Sequence, residues 1–123
     1  MRTFNFETSL WLPEPPERVF PFFSDVGNLE TITPDWLRFE IMTRMPVEMA
    51  VGTAIDYRLC YRGVPLKWQS EILEWDPPNR FIDSQVAGPY RKWVHEHSFQ
   101  EHDGGTLATD SIEYAVLGGA LAN

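Results

Sequence analysis

From Leu37 to Val116 the chain runs through six alternating segments, roughly 37–44, 53–62, 65–76, 80–87, 90–102 and 105–116. Period-two alternation gives a strand two unlike faces. The joints between the later segments are only long enough to reverse the chain, which makes neighbouring strands antiparallel. They also carry turn chemistry: "YRGVPL" with Gly63, the proline-bounded "WDPPNRF", the Gly-Pro turn of "VAGPYR", and "EHDGGT", an Asp-Gly-Gly hairpin suited to left-handed backbone. Thr3 to Leu12 alternates as well, with Phe4, Phe6, Thr8 and Leu10 opposite Asn5, Glu7, Ser9 and Trp11, until Pro13 ends it. Six meander strands helped by this first one make a strongly curved sheet, and its concave face needs a cover.

Between the first strand and the meander, "PEPPERVFPFFSDVGNLETITP" reads as two short helices. Pro16 suits a first helical turn, Val19, Phe20 and Phe23 share a face, and Asp25 or Asn28 can cap a second turn through Ile32. Pro21 removes a backbone donor inside the first helix and is expected to kink or shorten it. No repeat or linker interrupts the 123 residues, so one domain over 1–123 is expected. Aromatic residues make up 14% of the chain, more flat apolar surface than a minimal core needs, which points to a cavity or an interface. A net charge of -8 with scattered basic residues repels phosphate backbones and anionic membranes, so neither nucleic acid nor membrane is expected as a partner. The single cysteine, Cys60, excludes an internal disulfide and any CxxC pattern. With no apolar run of signal-peptide or bilayer-spanning length, the expected location is cytoplasmic.

The segments "LPEPPERVFPFFSDVGNLETITPDWLRFEI", "GTAIDYRLCYRGVPLKWQSEILEWDPPNRFIDSQVAGPYRKWVHEHSF" and "GGTLATDSIEYAV" together resemble the START-like, or SRPBCC, superfamily. Within it, the chain is similar to the bacterial polyketide cyclase/dehydrase-like ligand-binding group. The resemblance implies an α+β helix-grip fold like that of the birch pollen allergen, a curved antiparallel sheet wrapped around a long C-terminal helix. Two departures stand out. Pro21 replaces a helix former, and the sequence stops at Asn123 where members of the family continue into the closing helix. The expectation is a domain truncated at its C-terminus, with a homodimer partner covering the open concave face.

Alternation assigns the concave face strand by strand. Ile55, Tyr57, Leu59 and Tyr61 oppose Asp56, Arg58 and Arg62, and Leu66, Trp68, Ser70 and Ile72 oppose Lys67, Gln69 and Glu71. In 80–87 the choice lies between Phe81, Asp83 and Gln85 and the set Ile82, Ser84 and Val86; the resemblance favours the first. Aromatic bulk puts Trp93, His95, His97 and Phe99 inside, against Lys92, Val94, Glu96 and Ser98. Ala108, Asp110, Ile112 and Tyr114 form the last inward set.

His95 and His97, two residues apart on a strand, could share a metal with Asp83 or Asp110, but spacing fixes no third ligand and His102 falls out of phase. Buried imidazoles satisfied by acids and tyrosines are the stronger expectation, with no metal and no cofactor. There is no GxGxxG, P-loop, GxSxG or HExxH motif. The function expected is binding of a small hydrophobic or amphipathic molecule. Its site would draw on Tyr57, Leu59, Trp68, Ser70, Phe81, Asp83, Gln85, Trp93, His95, His97, Phe99, Asp110 and Tyr114. Two alternatives stand beside it. A polyketide cyclase/dehydratase would use His95 or His97 with Asp110 or Asp83 as base and Tyr114 or Tyr57 to polarise a carbonyl; a non-enzymatic module would dimerise through the concave face.

Overall fold

The computed structural model describes residues 2–28, 35–45 and 47–116. Strand β1 (Phe4–Leu12) leads into helix α1 (Pro16–Phe23), a 3-10 turn at Val26–Asn28 and a second at Asp35–Leu37. Then come β2 (Glu40–Ile41), β3 (Ala54–Tyr61), β4 (Val64–Asp76), β5 (Arg80–Ala87), β6 (Tyr90–His102) and β7 (Gly105–Val116). All seven strands join one antiparallel sheet in the order β1-β7-β6-β5-β4-β3-β2. The meander therefore lies in chain order, and β1 returns to pair with the last strand, from Phe4 opposite Tyr114 to Leu12 opposite Thr106.

The β3–β4 and β6–β7 reversals each place two central residues in the left-handed region: Arg62 and Gly63 at φ 52° and 79°, Asp103 and Gly104 at φ 47° and 75°. That geometry matches the right-handed twist of the strands it joins. The next residue, Gly105, has a different reason to be glycine: a Cβ there would stand 2.2 Å from the Leu12 carbonyl oxygen and 2.8 Å from the Trp11 ring. Register shifts in β4 (Gln69/Ser70 and Ile72/Glu74) and in β6 (Tyr90/Lys92) add bends to the two longest strands.

Two elements differ from expectation. The strand expected over 37–44 shrinks to Glu40–Ile41, because Arg38 turns to φ 49° and the Thr43 hydroxyl, rather than a ladder carbonyl, accepts the Asp56 N–H at 2.7 Å. Of the two expected helices, α1 forms with Pro16 at its start and Pro21 inside it, and ends where Ser24 N–H donates to the Phe20 carbonyl. The second is a single 3-10 turn headed by Asp25, whose carboxylate accepts the Gly27 N–H at 2.8 Å. Its expected continuation to Ile32 lies outside the described residues.

Helix α1 covers one end of the concave face. Val19 and Phe20 pack with Ile72, Phe81, Phe99 and Ala108, and Leu12, Phe23, Met49 and Trp75 close the edges. Phe20 meets Trp75, Phe81 and Phe99 edge-on, with centroids 5.2, 5.8 and 5.5 Å away, the preferred geometry for aromatic quadrupoles. Burying a side chain of this size is worth about 2–3 kcal/mol, so this small cluster holds the helix to the sheet.

Candidate functional site

Beside that core, on the same concave face, β5, β6 and β7 bring two aspartates and two histidines together. In register, Asp83 lies opposite His95 and Phe81 opposite His97, while across the next ladder His97 lies opposite Asp110. The side chains pair diagonally. His97 Nε2 and Asp83 Oδ2 are 2.6 Å apart, His95 Nε2 and Asp110 Oδ1 are 2.9 Å apart, and His97 Nδ1 stands 3.4 Å from the same Asp110 oxygen. Phe81, His97 and His95 stack face to face along the sheet, at 4.1 and 3.6 Å between centroids. Period two explains the sequence His95-Glu96-His97: Glu96 points the other way, where Arg80 bridges it to Glu74.

Burial alone would lower the His97 pKa; the hydrogen bonds and charges of Asp110 and Asp83 outweigh it and raise His97 above the ordinary imidazole value. For Asp110, burial pushes upward, but hydrogen bonds and charge from His95 and His97 hold its carboxyl well below the usual carboxylate range. Tyr57, on β3, is held protonated mainly by burial and also by the Asp83 charge, against a hydrogen bond from Ser70. Between the sheet and the 3-10 turn after α1, a cavity of about 40 Å³ is lined by Ser24, Asp25, Tyr57, Asp83 and His97, with apolar neighbours.

The far end of the concave face is aromatic and half-buried. Trp93 lies 5.2 Å from Trp68, 4.7 Å from Tyr90 and 6.0 Å from Tyr114, and Phe4 stacks on Tyr114 at 5.6 Å. The inward residues read from the sequence thus separate into three groups. Asp83, His95, His97 and Asp110 form the polar centre, with Tyr57 at the adjoining cavity. Phe81 and Phe99 are 4% and 5% exposed and belong to the core under α1. Trp68, Trp93 and Tyr114 make the aromatic platform, where Ser70, buried, accepts the Trp68 indole N–H at 2.9 Å.

Two further residues have other roles. Gln85 clamps the β5–β6 hairpin, donating to the Tyr90 carbonyl at 2.6 Å and accepting the Tyr90 N–H at 3.1 Å. Leu59 lies opposite Leu66 near the β3–β4 turn, away from the polar centre. Alternation missed Tyr90, which counts as outward when read back from Trp93. The register shift between Tyr90 and Lys92 turns its ring to the platform, and the preceding Gly88-Pro89 turn is the local signal of that irregularity.

The family model for polyketide cyclase / dehydrase and lipid transport proteins matches residues 12–123. The chain belongs to this family. Among solved structures, Zhui aromatase/cyclase from Streptomyces sp. R1128 is similar with a TM-score of 0.75 at 17% identity, over 96% of this chain and 71% of that one. Protein CV1439 from Chromobacterium violaceum reaches a TM-score of 0.75 at 17% identity, over 92% and 81% of the two chains. Ginseng major latex-like protein 151 from Panax ginseng reaches 0.73 at 16% identity, over 98% and 85%. At such identities the likeness establishes the fold, which is the helix-grip fold the sequence resemblance implied, with a short helical part among the described residues. No curated protein sequence matches the chain. Among the described residues, no helix is long and apolar enough to cross a membrane.

Proposed function

We propose that the protein binds a small hydrophobic or amphipathic molecule on the concave face, its flat apolar body on the Trp68, Tyr90, Trp93 and Tyr114 platform and its polar end at His95, His97, Asp83 and Asp110. The observation that carries this reading is the gradient along the face: a sealed core under α1, then a hydrogen-bonded polar centre, then aromatic rings only partly shielded from water. Apolar surface with a few convergent polar groups is the usual composition of a small-molecule site. Membership of a family named for polyketide cyclisation and lipid transport agrees with such a ligand. Anilinonaphthalenesulfonate, a flat aromatic with one charged end, is a suitable probe. Saturable binding is expected, with affinity falling about tenfold in Trp93→Ala, the order of one lost aromatic contact. Equal binding by wild type and Trp93→Ala would overturn the assignment.

A second reading, acid–base cyclisation or dehydration of a poly-carbonyl substrate, is favoured by His97 lying between two carboxylates with the protonated Tyr57 phenol nearby. Under it, His97→Gln and Asp110→Asn abolish turnover of such a substrate while circular dichroism stays native. Undiminished turnover in both variants would remove these residues from the chemistry.

A further inference from the structure

We propose that Asp83, His95 and His97 form a binding site for a divalent transition-metal cation of the zinc class. Sequence spacing left the third donor open between Asp83 and Asp110; the fold brings Asp83, on the neighbouring strand, into range of both histidines. One carboxylate oxygen of Asp83 and one ring nitrogen of each histidine all lie within 4.8 Å of one another. Zinc bonds of about 2.0–2.2 Å hold donors at most about 4.4 Å apart around one ion, so small side-chain rotations close the remaining gap.

Three features make the cluster more than a coincidence of polar residues. The ligand set is pre-positioned: all three side chains stand on paired strands, are only 16–19% exposed, and the imidazoles are held in a stack on Phe81. Their outer partner is also in place. His97 turns Nε2 to Asp83 and Nδ1 to Asp110, and Asp110 also holds His95, the carboxylate–imidazole arrangement that fixes ring orientation and raises ligand basicity at metal centres. Finally, the cavity of about 40 Å³ beside Asp83, His97 and Tyr57 exceeds the roughly 10–15 Å³ one water needs. A water there can complete the first shell. Two imidazoles and one carboxylate select a borderline ion such as zinc over the hard cations, which prefer oxygen donors throughout.

This inference goes beyond ligand binding and does not rest on it, since the platform is tested by Trp93→Ala and the metal site by Zn²⁺ alone. Full-length protein stripped with a chelator is titrated with Zn²⁺ by calorimetry, and the imidazole nitrogens are followed by NMR. Expected is one ion per chain with a dissociation constant on the order of micromolar or tighter. The ring signals of His95 and His97 shift together, and those of His102 stay in place. Asp83→Asn and His95→Gln lower the affinity at least about tenfold, Asp110→Asn lowers it about 10–100-fold through ring orientation, and His102→Ala leaves it unchanged. The wild-type spectra decide the matter even where a variant fails to fold. Millimolar binding, shifts confined to His102, or undiminished affinity in folded His95→Gln would each overturn the site.

Discussion

Asp110 is the residue on which the polar centre turns, because one carboxylate oxygen serves both imidazoles. Its depressed pKa means that its contribution to stability is complete above the ordinary carboxylate value of about 3.9 and is lost as pH falls through its lower folded value. His97 works in the opposite sense. Its raised pKa contributes fully below the ordinary imidazole value of about 6.5, and that contribution is lost as pH rises through the folded value. The pair therefore stabilises the metal-free fold most between about pH 4 and 6.5. Urea unfolding in the presence of a chelator should show Asp110→Asn destabilised most in that window, by about 1 kcal/mol, a modest cost because the carboxylate is partly open to water. A deficit unchanged from pH 4 to 9 would contradict the coupling. Alternation put all four residues on one face of the sheet. It could not give the diagonal pairing, which depends on strand register and side-chain rotamers, and it lost Tyr90 to a bulge.

At the level of elements, the strands and reversals from residue 53 onward were legible because alternation and turn chemistry are local properties. The 37–44 segment was not, since its apolar pattern is overridden by one left-handed residue, Arg38, and by a side-chain hydroxyl that replaces a ladder acceptor. The β6–β7 hairpin offers a clean test of turn chemistry against packing. Gly105 lies at the β1 contact, so Gly105→Ala forces the Leu12 backbone away and should cost about 1–3 kcal/mol by thermal or urea unfolding. Gly104→Ala, where nothing lies within 4 Å of the added methyl but φ is 75°, should reveal the cost of backbone strain alone. A Gly105→Ala cost no larger than about 0.5 kcal/mol would mean that the contact with Leu12 contributes nothing. Helix α1 depends on Phe20, 3% exposed, and Phe20→Ala should lose about 3–5 kcal/mol and loosen the covered end of the sheet. A loss under 1 kcal/mol would mean that the helix is held elsewhere.

Across the whole molecule, the concave face is organised as a sequence of environments: the sealed Phe20 core, the histidine–aspartate centre, and the aromatic platform. The curved sheet and its inward residues were readable from the chain. Their division into these three groups was not, because it depends on where α1 lands and on how far each ring stays shielded. The indole N–H spectrum separates these environments directly, since Trp75 lies against the core, Trp68 and Trp93 on the platform, and Trp11 and Trp36 elsewhere, exposed at 44% and 66%. Titration of wild-type protein with anilinonaphthalenesulfonate should shift the Trp68 and Trp93 indole signals together and saturably while Trp11 and Trp36 stay in place. Shifts confined to Trp11 and Trp36, or no saturable shift at Trp68 and Trp93, would contradict a ligand site on the concave face.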